Sequence, residues 1–273
     1  MLPEKFFDTG ELTINYAEGG ESGPPLVLLH GLTGRWQDFQ PVIPQLTPKW
    51  HVYACDLRGH GKSGRIAGHY HLTDYLRDLI AFLGQKTKEP AVLLAHSLGA
   101  LIALGVASKT PECVRALALL DPPLIVRNTT VEVYPRVKNW FDWVYETMKS
   151  APSYENVVAR YRELAPDADK ALINAVALNV YSVAPEAVSM AHQDNRLMAG
   201  FDLERTVQTV GCPTLLLRGE WQHGSTIRDK DAEWFQAKIP HARIIQIAKG
   251  SHHFLWKQME VTIEFIQSFL QTV

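Results

Sequence analysis

The chain is poor in cysteine and in net charge. Its 273 residues hold three cysteines, Cys55, Cys113 and Cys212, odd in number, far apart and never in a C-x-x-C pair. That pattern argues against a disulfide framework and a zinc site and leaves buried reduced thiols. The 27 Lys and Arg against 29 Asp and Glu leave a formal charge of -2. No run of basic residues is long enough to follow a nucleic-acid backbone, so nucleic acid is not an expected partner. No apolar stretch approaches the length that crosses a bilayer. The opening "MLPEKFFDTGELTINYAEGG" lacks an apolar run flanked by basic residues and a small-residue cleavage site. The expectation is a cytoplasmic protein with no membrane partner.

What is present is enough apolar sequence, 46% of residues, to bury a full core. "ELTINYAE" alternates like a strand. "PPLVLLHG", "HVYACDLRG", "AVLLAHS", "VRALALLDPP", "CPTLLLRGE" and "ARIIQIAKG" are short apolar runs ending in polar or Gly/Pro residues, the pattern of strands buried on both faces. Helical patterns such as "LTDYLRDLIAFLGQ", "SLGALIALGVASKT" and "DAEWFQAKI" lie between them. Alternating strands and helices predict an α/β fold, a mostly parallel sheet covered by helices on both faces. Ligands of such sheets gather at the carboxyl ends of the strands, where His30, Asp56, Ser97, Asp121 and Glu220 fall. Between about Pro122 and Arg205 the strand signal vanishes. The expected division is a core of residues 1–121 and 206–273 with a helical insertion, a cap, over 122–205.

The stretch "DLRGHGKSG" carries two nucleotide-binding patterns. The P-loop pattern fails, because the glycine required five residues before Gly61 is Asp56. The dinucleotide pattern of Gly59, Gly61 and Gly64 should open a helix, and "RIAGHYH" starts none. A tight structural turn is the expected role, with no phosphate and no cofactor.

In "AHSLGA", Ser97 stands between an apolar strand and a helix, with the small residues Ala95 and Gly99 two positions to either side. This resembles a nucleophile elbow, whose sharp turn lifts a serine above the sheet and tolerates only small neighbours. A helix N-cap is the plainer reading of the same position. With "HGLTG", "DLRGHGKS", "AHSLGA", "CPTLLLRGE" and "GSHH" in matching order and spacing, the chain outside the insertion resembles the α/β-hydrolase superfamily. The resemblance implies a Ser97 nucleophile, a histidine base, and an oxyanion site made by the backbone N–H groups of Leu32 and Leu98, with no cofactor and no metal. His30, His60 and His96 match positions where the family carries structural histidines.

The base is expected after the last strand, where "KGSHHFLWKQ" offers His252 and His253. Counting from "ARIIQIA" and back from "FIQSFL" registers His252 with the family histidine, whereas the local "HFLW" favours His253. The flanks are preferred, because insertions fall in loops. The family acid is missing: "GEWQHG" places Gln222 where the pattern has aspartate. Some α/β-hydrolases take this acid from the end of the sixth strand, and "LALLDPP" supplies Asp121 there. Capping its own turn beside two prolines is the alternative role for Asp121.

In the insertion, Val137, Trp140, Phe141, Val144 and Met148 form a helical stripe read as core. Trp143 and Tyr145 fall off it and are the candidate substrate-binding residues, suggesting an apolar or aromatic group on a small-molecule substrate. The implied function is a serine hydrolase of a small ester, lactone or related acyl compound. The alternatives are a cofactor-free perhydrolase or carbon-carbon lyase on the same fold, and a non-catalytic ligand receptor or scaffold. The missing aspartate suggests the last, and fold alone does not choose among them.

Overall fold

The computed structural model describes residues 2–20, 22–127, 135–150, 153–192 and 196–273. Eight strands form one sheet: β1 (Glu4–Asp8), β2 (Thr13–Gly19), β3 (Pro25–Leu29), β4 (His51–Cys55), β5 (Ala91–His96), β6 (Val114–Leu120), β7 (Thr214–Arg218) and β8 (Arg243–Gln246). Their order is β1-β2-β4-β3-β5-β6-β7-β8. The β1–β2 and β2–β4 pairs are antiparallel and every later pair is parallel.

Strand periodicity divides the core. Val27 and Leu29 of β3, Leu93 and Ala95 of β5, and Leu117 and Leu119 of β6 face one side, where α2 (Leu72–Lys86), α3 (Leu98–Lys109) and later α9 (Asp229–Lys238) cover them. Leu26, Leu28, Val92, Leu94, Ala116 and Ala118 face the other side. The single turns α1 (Ile43–Leu46) and α10 (Phe254–Lys257) and the C-terminal α11 (Met259–Leu270) close over them. Ile266 and Phe269 of α11 are buried there, each side chain contributing about 1.5–3 kcal/mol. Every residue of β3 and β5 is buried, as their unbroken apolar runs require. β8 departs from this pattern, with two residues half-buried and two exposed, because it is the sheet edge.

Between β6 and β7 the chain is helical: α4 (Pro135–Ser150), α5 (Tyr154–Leu164), α6 (Lys170–Tyr181), α7 (Pro185–His192) and α8 (Leu203–Gln208). Leu203 and Val207 of α8 join the cluster that contains α3, as do Val144 of α4 and Val157 of α5. Among the described residues, five hydrogen bonds fasten α6 and the start of α7 to core loops. Arg35 Nε donates to Asn179 Oδ1 at 2.8 Å and Asn179 Nδ2 to Asp38 Oδ1 at 2.9 Å. Arg65 donates to the Ser182 carbonyl, Ala184 N–H to the Gly59 carbonyl, and Gly68 N–H to Glu186. Helix α4 leans in turn on α7. No single helix among the described residues is long and apolar enough to cross a membrane.

The glycine-rich turn holds an anion of its own. Asp56 accepts hydrogen bonds from Trp36 N–H (2.8 Å), Lys62 N–H (3.0 Å) and Asn15 Nδ2 (2.7 Å). Gly61 lies at φ 52°, and a Cβ there would stand 2.1 Å from Asp56 Oδ2, so only glycine lets the turn wrap this carboxylate.

Candidate active site

Ser97 joins β5 to α3 with φ 54° and ψ -117°, a backbone conformation that an L-residue keeps only where its surroundings enforce it. Two constraints do so. Ser97 N–H donates to the Leu120 carbonyl at 3.0 Å. Gly99 lets the turn close, since a Cβ there would meet the Leu29 and His30 carbonyl oxygens at 2.5 and 2.7 Å. The plainer reading of Ser97 as a helix cap fails, because its side chain makes no capping hydrogen bond.

Its hydroxyl lies 3.0 Å from Nε2 of His252, in the loop after β8, and His252 Nδ1 lies 2.7 Å from Asp121 Oδ2. The structure thus brings together one residue from the end of β5, one from the end of β6 and one from the loop after β8. Asp121 is fully buried and sits at φ 47°. Its Oδ1 accepts from Ser225 Oγ (2.5 Å) and Gly219 N–H (3.2 Å), and its Oδ2 from Thr226 N–H (2.8 Å) and Thr226 Oγ1 (3.0 Å). Burial alone would push this carboxyl up. The hydrogen bond and charge of His252, with Ser225 and Thr226, outweigh it and hold Asp121 below the usual carboxylate range.

Position 222 points elsewhere. Gln222 is exposed and its amide donates to Glu220 Oε2 at 2.8 Å. The loop after β7 contributes donors to a carboxylate from β6, while the carboxylate of its own Glu220 accepts from Gln222 and from Lys249 N–H. Sequence reasoning missed Ser225 and Thr226, which lie 104 and 105 residues from Asp121 in the chain. Of the adjacent histidines, His252 faces Ser97, whereas His253 is exposed and rests against Trp256 at 5.6 Å between ring centres. Buried Phe254 and Leu255 of α10 pin the loop that carries both.

The three other histidines expected at this edge are buried and make structural contacts. His96 Nε2 donates to the His252 carbonyl at 2.9 Å, and its ring lies 4.5 Å from that of His252. Burial, then the charges of His252 and His253, keep it well below the ordinary imidazole range. His30 Nδ1 donates to the Gly31 carbonyl (2.8 Å) while its Nε2 accepts from Leu57 N–H (3.0 Å). His60 Nδ1 donates to the Arg58 carbonyl (2.8 Å) while its Nε2 faces Thr33 N–H at 3.4 Å. Burial pushes His30 down to about 4 and His60 to about 3, so both rings are neutral.

The N–H groups of Leu32 and Leu98 have no acceptor among the described residues. Leu98 opens α3, where the first N–H groups of a helix lack internal partners. Trp143 and Tyr145 find partners inside the insertion. Trp143 stacks on Trp140 with 5.3 Å between ring centres and meets Tyr161 edge-on at 5.8 Å. Tyr145 lies beneath the Lys149 ammonium.

The family model described as "alpha/beta hydrolase fold" matches residues 24–258. The chain is 26% identical over 265 residues to 2-(acetamidomethylene)succinate hydrolase of Mesorhizobium japonicum, covering 96% of this chain and 93% of that one. It is 28% identical over 255 residues to the pimeloyl-[acyl-carrier protein] methyl ester esterase of Xanthomonas axonopodis pv. citri, covering 92% and 96%. Among solved structures, E-2-(acetamidomethylene)succinate hydrolase superposes with a TM-score of 0.78 at 22% identity over 99% of this chain and 100% of that one. The chain belongs to the alpha/beta hydrolase fold family and is a hydrolase enzyme.

Proposed function

We propose that the chain cleaves a small carboxylic ester, lactone or related acyl compound through Ser97, His252 and Asp121, by way of an acyl-enzyme. The observation that carries this reading is the unbroken line of hydrogen bonds from Ser97 Oγ through His252 to Asp121, 3.0 and 2.7 Å long. As the Ser97 oxygen attacks the acyl carbon, its proton passes to His252 Nε2, and Asp121 stabilises the resulting imidazolium. The carbonyl oxygen takes up the charge and accepts hydrogen bonds from the Leu32 and Leu98 N–H groups. Collapse of the tetrahedral adduct expels the alcohol, to which His252 returns the proton. Water, deprotonated by the same histidine, then releases the acid and regenerates Ser97.

Two relatives are named for the hydrolysis of acyl compounds, one a methyl ester and one an acetamido derivative. The acetamido compound supports a small acyl substrate, whereas the methyl ester is carried on an acyl-carrier protein. The helices between β6 and β7 act in this reading as the cap that shapes its binding site. An aligned acid, base and hydroxyl weigh against a receptor that has lost turnover.

The test is a panel of p-nitrophenyl esters of increasing acyl length on wild type and Ser97→Ala, with a fluorophosphonate to label the nucleophile. Ser97→Ala should fold, lose at least about 10³-fold in kcat and take up no label. Turnover retained by Ser97→Ala, or labelling at another residue, refutes the mechanism.

A further inference from the structure

Backbone donors cannot be removed by side-chain substitution, so what aims them matters. The N–H of Leu32 belongs to the Gly31–Leu32 peptide. In a planar trans peptide the N–H and C=O point in opposite directions, so whatever holds the carbonyl directs the N–H. Two groups hold the Gly31 carbonyl: His30 Nδ1–H at 2.8 Å and Gly34 N–H at 2.9 Å. The following peptide is held from the other direction, its Thr33 N–H facing His60 Nε2 at 3.4 Å. Thr33 itself sits at φ 64°. Gly31 borders the nucleophile, since a Cβ on it would lie 2.9 Å from Ser97 Cβ. Both imidazoles are buried, and their rings lie 5.1 Å apart.

We propose that His30 is a positioning residue of the oxyanion site, its Nδ1–H fixing the Gly31–Leu32 peptide so that the Leu32 N–H faces the oxygen that becomes negative. The tautomer is set by the opposite ring nitrogen, which accepts Leu57 N–H from the segment leading into the glycine-rich turn. That turn and the oxyanion loop are thereby coupled through one ring. Donation to the Gly31 carbonyl also polarises the peptide and strengthens its N–H as a donor. The inference rests on the hydrolase reading above.

Two substitutions separate the ring nitrogens. In His30→Asn the amide N–H takes the place of Nδ1–H and keeps the Gly31 bond, while the Leu57 bond is lost. His30→Gln reaches the Nε2 position, so its oxygen accepts Leu57 N–H while the Gly31 bond is lost. Each is compared with wild type in kcat, KM, thermal midpoint and affinity for a trifluoromethyl ketone. The ketone carbon takes the Ser97 oxygen, its carbonyl oxygen becomes an oxyanion, and the hydroxyl proton passes to His252.

His30→Gln should lose about 10²-fold in both kcat and ketone affinity, the scale of one lost oxyanion donor, with KM within about twofold of wild type. His30→Asn should stay within about fivefold in both while melting earlier. A purely structural histidine would instead lower the thermal midpoint in both variants and leave the ratio of ketone to substrate affinity unchanged. That result overturns the proposal, as does a folded Asn variant losing as much as expected of Gln, or a folded Gln variant with near-wild-type kcat. Should one variant not fold, the other decides by itself. A wild type that neither turns over esters nor labels at Ser97 sinks the hydrolase reading and this inference with it. Turnover and labelling with an indifferent His30 sink this inference alone.

Discussion

Replacing Asp121 with asparagine removes a charge and keeps a shape. The Oδ2 side faces three donors, His252 Nδ1–H, Thr226 N–H and Thr226 Oγ1–H, so the amide oxygen takes that side. The NH₂ then falls beside Ser225 Oγ, which can turn to accept from it, and opposite Gly219 N–H, where one bond is lost. The imidazole stays in place while the ion pair formed in the transition state disappears. With charge centres about 4 Å apart and an effective dielectric near 20, that pair is worth about 4 kcal/mol, or roughly 10³-fold in kcat. KM should be nearly unchanged, because the charge on His252 develops only after binding. Steady-state kinetics on the best ester from the panel measure kcat and KM separately. A loss in kcat below about tenfold would refute the role assigned to Asp121.

His252→Ala should cost about as much rate as Ser97→Ala, since members of one catalytic unit fail together, whereas His253→Ala should keep most activity; the reverse outcome in ester turnover would reassign the base. Stability should fall as pH drops below about 6.5, because unfolded histidines take up protons there while His30 stays neutral down to about 4 and His60 to about 3. The unfolded state then binds more protons, and His30 alone accounts for about 3 kcal/mol of the loss. Asp38, pushed up to about 6 by burial, works in the opposite direction over part of this window, as do Asp56 and Asp78, which burial also raises. His30, His60 and His96 together outweigh them, so urea midpoints should rise from about pH 4.5 to about pH 7. A flat or falling profile would show that these rings are not held neutral.

The parallel strands were legible in the sequence because both faces are buried, which leaves an unbroken apolar run. β8 was legible in place but not in burial, since nothing local says which strand ends the sheet. The sharp turn at Ser97 could be read from its small neighbours, and Asp121 as a candidate partner of the histidine from the aspartate missing at Gln222. The Ser225 and Thr226 contacts could not, because a hydroxyl becomes a carboxylate's partner through the packing of β6 against β7, which no local pattern records. The same limit applies to Trp143: falling off one apolar stripe fits either a ligand or a second packing face, and the side chain lies half-buried against Trp140 and Tyr161.

Under the proposed function, the placement of the acid at the end of β6 has a consequence for redesign. In a hydrolase whose acid sits in the turn after β7, every change to that turn risks the catalytic charge. Here the exposed 221–223 segment carries none, and what Asp121 needs from the loop is Gly219, Ser225 and Thr226 at its two ends. In that reading the middle of the loop is a place where residues can be exchanged to vary the surface near the site while Asp121, His252 and Ser97 stay in register.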